Sequence, residues 1–186
     1  EVSFVKNEGP KLGKFNLADL KISNIEKHLQ PVFEAVSLTK LKLDKNKALI
    51  GFAGAPWTLA CYMIEGGGSK SFENVRRFAI EKEKEFQILI DILTESVIEY
   101  LSLKIKAGAD VVKIFDSWAQ VLPPIDLQKW VIDPTKKIVE KLKEKHPRTS
   151  IIAFPRGIGN SYKNYASQVK ADAIALDQNV DRKWVK

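Results

Sequence analysis

Three short stretches of this 186-residue chain carry the side chains that could do chemistry. They are Gly54-Ala55-Pro56-Trp57-Thr58-Leu59-Ala60-Cys61-Tyr62-Met63-Ile64-Glu65-Gly66-Gly67-Gly68-Ser69, then Asp116-Ser117-Trp118-Ala119, then Pro155-Arg156-Gly157-Ile158-Gly159. Tyr62 stands in an otherwise apolar segment, where a buried phenol needs a hydrogen-bond partner; taken alone, such a tyrosine is more often core than catalyst. Ser117 beside Asp116 raises a nucleophile, but His28 and His146 both lie in lysine-rich stretches and read as surface residues, so a Ser-His-Asp hydrolase is disfavoured. Gly66-Gly67-Gly68-Ser69-Lys70 invites a phosphate cradle, yet the order is wrong for a P-loop and the run does not directly follow a strand. It reads as a flexible turn.

These stretches must be positioned by the elements around them. Ala48 to Ala53 is short, apolar and bounded by a lysine-rich stretch and Gly-Ala-Pro, which predicts a buried strand. Ser69 or Ser71 can cap a helix starting near Phe72, and Phe86, Leu89, Ile90, Leu93, Val97 and Leu101 recur at helical spacing. Gly108 closes that helix, and Val111 to Phe115 reads as a second strand. Pro123-Pro124 marks a loop, and Asp133-Pro134 a helix start with aspartate as cap, striped by Ile138, Val139 and Leu142 and ended by His146-Pro147. Ile151 to Phe154 is a third strand, Tyr162 to Val169 a short helix and Ala173 to Leu176 a fourth strand. The alternation predicts parallel strands joined by helical crossovers, hence an α/β fold, either a barrel or a doubly wound sheet. The first 47 residues fit neither: they hold a Gly9-Pro10 break, a Leu12-Gly13 turn and a weakly amphipathic piece from Ile25 to Val36. In both architectures functional residues gather just past the strand ends, which is where the three stretches fall.

Composition narrows the function classes. A hydrophobic content of 45% is enough to bury a core. No stretch approaches the roughly 20 apolar residues that span a bilayer, and no signal-peptide pattern opens the chain, so we expect no membrane and a cytoplasmic setting. Cys61 is the only cysteine, so neither a disulfide within the chain nor a cysteine-rich zinc site is expected. The net charge of +7 is spread through mixed-charge helical stretches such as Glu81-Lys82-Glu83-Lys84-Glu85, which reads as solvated helix faces rather than a nucleic-acid footprint.

The run Gly51-Phe52-Ala53-Gly54-Ala55-Pro56-Trp57-Thr58-Leu59, with Tyr62 and Glu65-Gly66-Gly67-Gly68-Ser69, closely resembles the second signature of the uroporphyrinogen decarboxylases. Ile114-Phe115-Asp116-Ser117-Trp118-Ala119 resembles that family's next strand and loop, and Phe154-Pro155-Arg156-Gly157 the one after. The order is the family's, and the resemblance covers nearly the whole chain. Gln120 stands where the family usually has glycine, Cys61 where threonine is common and Arg156 where lysine is common. The family's Met-Arg-Gln-Ala-Gly-Arg run, its Ser-Asp-Ile segment, its Gly-Asn-Leu-Asp-Pro strand and its Asn-Leu-Gly-His-Gly segment do not occur.

The resemblance implies a partial (β/α)8 TIM barrel of about four central strand-helix units, the chain being the central part of a single barrel domain. It implies that the full-length protein converts the four acetate side chains of uroporphyrinogen to methyl groups, giving coproporphyrinogen, without metal or other cofactor. A pyrrole protonated at its α-carbon accepts the electron pair left by carbon dioxide; an upstream aspartate stabilises the cation, and arginines hold the carboxylates. Tyr62 and Ser117 then donate hydrogen bonds to substrate carboxylates or to the site aspartate, while Phe52 and Phe115 line an apolar wall around the macrocycle or serve as ordinary barrel core. The family further implies a homodimer. Because the upstream charged groups lie outside it, this chain alone is expected to be inactive. Two alternatives stay open: a corrinoid-dependent methyltransferase, which needs a His-x-Cys zinc site where only Cys61 is offered, and a non-catalytic tetrapyrrole-binding fragment.

Overall fold

In the computed structural model, residues 2–5, 9–13, 15–20, 22–181 and 183 are described. Four strands, β3 (Ile50–Gly54), β4 (Val111–Asp116), β5 (Ser150–Pro155) and β6 (Ala173–Ile174), form one parallel sheet in the same order as in sequence. Phe115 sits opposite Gly54 on one side and Phe154 on the other, so the strand ends that carry the three stretches are level. An antiparallel hairpin, β1 (Val2–Val5) with β2 (Gly9–Leu12), precedes the sheet. The Gly9-Pro10 pair therefore lies within a strand, where a break was expected; proline is tolerated there because a two-stranded ribbon is all edge.

The helices are α1 (Ile25–His28), α2 (Gln30–Lys42), α3 (Pro56–Glu65), α4 (Glu73–Glu81), α5 (Glu83–Lys106), α6 (Pro124–Leu127), α7 (Asp133–Lys145) and α8 (Tyr162–Val169). The α5 stripe is buried as its spacing predicts, from Phe86 to Leu101, and each such side chain contributes about 1.5–3 kcal/mol. Together with residues of α3, α7 and α8 it packs into one cluster with Ala53, Val112, Ile114, Ile151 and Ala153.

Burial along the strands alternates. Val112 and Ile114 are buried, whereas Val111, Lys113, Phe115, Ile152 and Phe154 are only half-buried and Phe52 is 58% exposed. The helices thus cover one face and leave the other open. A doubly wound sheet would carry helices on both faces and reverse its strand order; strands in sequence order with one covered face form an arc of a (β/α) barrel. On the free edge of β3, the buried Lys104 donates its amine to the Phe52 carbonyl at 2.8 Å and lies over the Tyr100 and Phe52 rings at 4.4 and 4.8 Å.

Further expectations are corrected. The fourth strand, expected over Ala173 to Leu176, is only Ala173–Ile174. Pro124 to Lys145 is helical throughout, α6 and α7 being joined by a π-helical turn over Gln128–Ile132, so Asp133 is inside the run with αR backbone angles rather than its cap. The wide turn lets the Asp133 N–H reach Gln128 O and absorbs Pro134, which has no N–H to give. His146 is half-buried rather than on the surface, with Nε2 2.6 Å from Ser102 Oγ.

At the N-terminal end of the sheet an ion-paired tie occurs twice. Asp110 accepts from the Leu49 amide at 2.7 Å and pairs with Lys40 at 2.6 Å; Asp172 accepts from the Ile151 amide at 2.7 Å and pairs with Lys143 at 2.6 Å.

Candidate active site

The other end of the sheet carries the predicted site residues. The segment after β3 is a helix that the sequence reading did not resolve: Pro56 occupies its first turn, and Gly66, at φ +74°, ends it in a left-handed conformation that L side chains resist. Glu65 then caps α4, accepting from the Val75 amide and the Asn74 side chain, both at 3.0 Å. Ser69 accepts from the Phe72 amide at 3.0 Å, so the glycine-rich run is a tied turn between two helices.

Four hydrogen bonds stitch α3 to the end of β4. The Ala55 amide donates to Phe115 O at 2.8 Å, and Trp57 Nε1 to Trp118 O at 2.9 Å. Thr58 Oγ1 donates to Asp116 Oδ1 at 2.6 Å and accepts from the Trp118 amide at 3.2 Å. Trp118 lies between Phe72, at 4.4 Å between ring centroids, and Tyr62, at 6.2 Å edge to face. Tyr62, on α3, meets Trp118, and Ser117 directly precedes Trp118 in the chain; both are half-buried. No described residue hydrogen-bonds the Tyr62 hydroxyl, which leaves it available to an incoming group.

Phe52 and Phe115 belong to the open face. Their rings meet edge to face at 5.8 Å, and Phe115 meets Phe154 in the same way at 5.9 Å, making an aromatic row across three strands. The Lys113 amine lies over Phe115 and Phe154 at 4.5 and 5.3 Å. Phe154 and Lys113 were missed in sequence; Lys113 stands two residues from Phe115 on the same strand, which was an available signal, whereas Phe154 lies opposite Phe115 only through the strand pairing. Tyr62 and Ser117 thus stand in the segments that follow β3 and β4, linked through Trp118, while Phe52 and Phe115 form a pair on the open face of the sheet.

The electrostatics differ from loop to loop. Asp116 is 1% exposed, its Oδ2 has no partner among the described residues, and burial pushes its carboxyl up to about 7 against the hydrogen bond from Thr58. Burial also pushes up Asp177, past β6, but the Asn179 amide, the Tyr162 hydroxyl and the Gly157 amide outweigh it and hold that carboxyl below the usual range. Burial, then the nearby Asp116, raises the Cys61 thiol, so it is inert as a nucleophile. Gln120, with its amide nitrogen facing the carbonyls, bridges Ser117 O and Arg156 O at 3.0 and 2.9 Å, joining the loops after β4 and β5. Among the described residues no group of three or more His, Cys, Asp or Glu side chains could hold a metal ion, and no helix is long and apolar enough to cross a membrane.

Comparison with known proteins gives one answer along the whole chain. The family model for uroporphyrinogen decarboxylase (URO-D) matches residues 1–186. The uroporphyrinogen decarboxylase of Paracoccus denitrificans is 42% identical over 186 residues, covering 97% of this chain and 54% of that protein. The protein of that name from Granulibacter bethesdensis is 41% identical over 184 residues, covering 96% and 54%, and the one from Rickettsia rickettsii 41% identical over 189 residues, covering 100% and 55%. The chain therefore spans about half the length of these relatives. With the signature run seated at the C-terminal ends of a barrel arc and the family model matching from the first residue to the last, the chain belongs to the uroporphyrinogen decarboxylase family.

Proposed function

We propose that the whole protein containing this chain removes the carboxyl groups of the four acetate side chains of uroporphyrinogen, giving coproporphyrinogen, without added cofactor. The observation that supports this is Tyr62 against Trp118, with Ser117 directly before it, at the end of a sheet whose open face carries the Phe52–Phe115 pair, in a chain that belongs to this family. Each step breaks one C–C bond: carbon dioxide leaves, its electron pair flows into a pyrrole protonated at the α-carbon, a proton delivered to the side-chain carbon yields the methyl group, and loss of the α-carbon proton restores the neutral pyrrole. Tyr62 and Ser117 donate hydrogen bonds to carboxylates of the substrate or to the aspartate that stabilises the cation, bonds worth most where the acceptor is charged. Phe52 and Phe115 form the apolar wall against the macrocycle. The protein works in the cytoplasm as a homodimer and engages neither nucleic acid nor membrane.

The test is incubation of the full-length protein with uroporphyrinogen, with products separated by chromatography before and after metal chelation. Coproporphyrinogen should accumulate in both cases, and loss of activity on chelation would end the cofactor-free reading. Tyr62→Phe should lower kcat/KM by about 10- to 100-fold without unfolding the protein, with Ser117→Ala acting in the same direction. If both kept wild-type kinetics while Phe52→Ala abolished turnover, the donors would be misassigned and only the wall correct.

A further inference from the structure

The seam between α3 and the loop after β4 contains a carboxyl that the proposed reaction leaves unused. Thr58 Oγ1 accepts the Trp118 N–H, so its own single proton is committed to Asp116 Oδ1. One carboxyl thus grips, through one hydroxyl, both the helix on which Tyr62 follows Thr58 by a turn and the residue next to Ser117. Asp116 itself belongs to the helix-covered face, with Val112 and Ile114, and the aromatic row to the other, so it does not reach a ligand lying on that row.

We propose that Asp116 is a positioning residue: through Thr58 it sets the spacing between the Tyr62 helix and the Ser117 loop, and the charge on its carboxyl sets how firmly that spacing is held. This rests on the reading of Tyr62 and Ser117 as hydrogen-bond donors to the substrate. The titratable groups facing Asp116 among the described residues are Cys61 on α3 and Tyr165 on α8, both buried and both raised chiefly by burial, and no described cation neutralises it. Two features favour its ionised form: Thr58 stands in the first turn of α3, where the helix dipole attracts negative charge, and a bond to a carboxylate is stronger than one to a neutral acid. Burial opposes them, and the balance places the exchange of the proton near neutrality.

The experiment is the pH profile of kcat/KM for uroporphyrinogen in the full-length protein. The wild type should rise through a step near 7, where Asp116 ionises. Asp116→Asn keeps the shape and an acceptor for Thr58 but cannot ionise; it should lose the step and run about tenfold below the wild-type plateau. Thr58→Val, which deletes the hydroxyl, should reproduce the loss, and Thr58→Ser, which returns it, should recover the step. An Asp116→Asn profile that retains the wild-type step, or a Thr58→Val profile identical to the wild type, overturns the proposal. A wild-type protein that makes no coproporphyrinogen overturns the functional reading instead, and the two failures are told apart by the wild-type assay alone.

Discussion

The same four strands carry aspartates at both ends, in opposite circumstances. At the N-terminal end Asp110 and Asp172 each take a backbone amide and a lysine, and both are held below the usual carboxylate range. For Asp110 the main cause is the Leu49 amide, followed by Lys40; for Asp172 burial works the other way and is outweighed by Lys143 and the Ile151 amide. At the C-terminal end Asp116 has, among the described residues, one hydroxyl, no cation and an orphaned oxygen, and is pushed up. One end uses its carboxylates to stabilise the fold; the other accepts a buried carboxyl with unmet hydrogen bonding, an arrangement expected beside a site that must do chemistry.

Substitutions at the two ends should separate these roles, and all are best measured by denaturant unfolding of the whole protein. The largest effect is expected at the loop end. Trp57 is fully buried, meets Phe86 edge to face and ties down Trp118 O, so Trp57→Ala should cost about 3–5 kcal/mol. A cost under about 1 kcal/mol would mean the seam is not what joins α3 to β4.

Next comes the sign of the pH dependence. Because the folded-state value of Asp116 is raised from 3.8 to about 7, its contribution is fully present in acid and is lost as the pH rises through about 7. Asp116→Asn should therefore gain on the wild type as the pH rises from about 4 to about 7, by on the order of 4 kcal/mol in all. A difference that does not change with pH would remove Asp116 from the comparison. Asp172 has the opposite sign: its stabilisation is present at neutral pH and is lost as the pH falls through its lowered folded-state value. Asp172→Ala should cost about 1–2 kcal/mol near neutrality and little in strong acid. The smallest effect belongs to Ser102, whose hydroxyl meets His146 beside Lys106 and Lys145; Ser102→Ala should cost about 1 kcal/mol or less. Burial, then those lysines, lowers His146, so any stability it contributes is present above its ordinary 6.5 and fades below it.

Elements whose signal is local periodicity were legible in the sequence. The α5 stripe, the three longer strands and the Tyr162–Val169 helix need only a repeat of apolar positions and a stop signal, and they are found as predicted to within a residue or two. What escaped depends on partners distant in sequence. The helix α3 was hidden because its proline and terminal glycine were absorbed into a loop reading, and the π-turn before Asp133 because Asp-Pro is also a good start signal. The open face of the sheet was marked in the run Val111 to Phe115 by Lys113 alone, and a single lysine among apolar residues is a weak signal until the placement of the helices tells the sides apart. Tyr62, Ser117, Phe52 and Phe115 were reached through resemblance, whereas Thr58 as the partner of Asp116 and Phe154 as the end of the aromatic row required coordinates.

The bridge from Gln120 to the loop after β5 also bears on how this chain can evolve. A Cβ added at Gly157 would stand 2.6 Å from Gln120 Cβ, nearer than two carbons pack, and Gly157 already has φ +76°. A lineage with glycine at position 120 meets only the backbone penalty at 157, while one that has acquired glutamine there meets a collision as well. The two positions are therefore epistatic: Gln120→Gly should have to precede Gly157→Ala, and the reverse order should pass through a poorly folded intermediate.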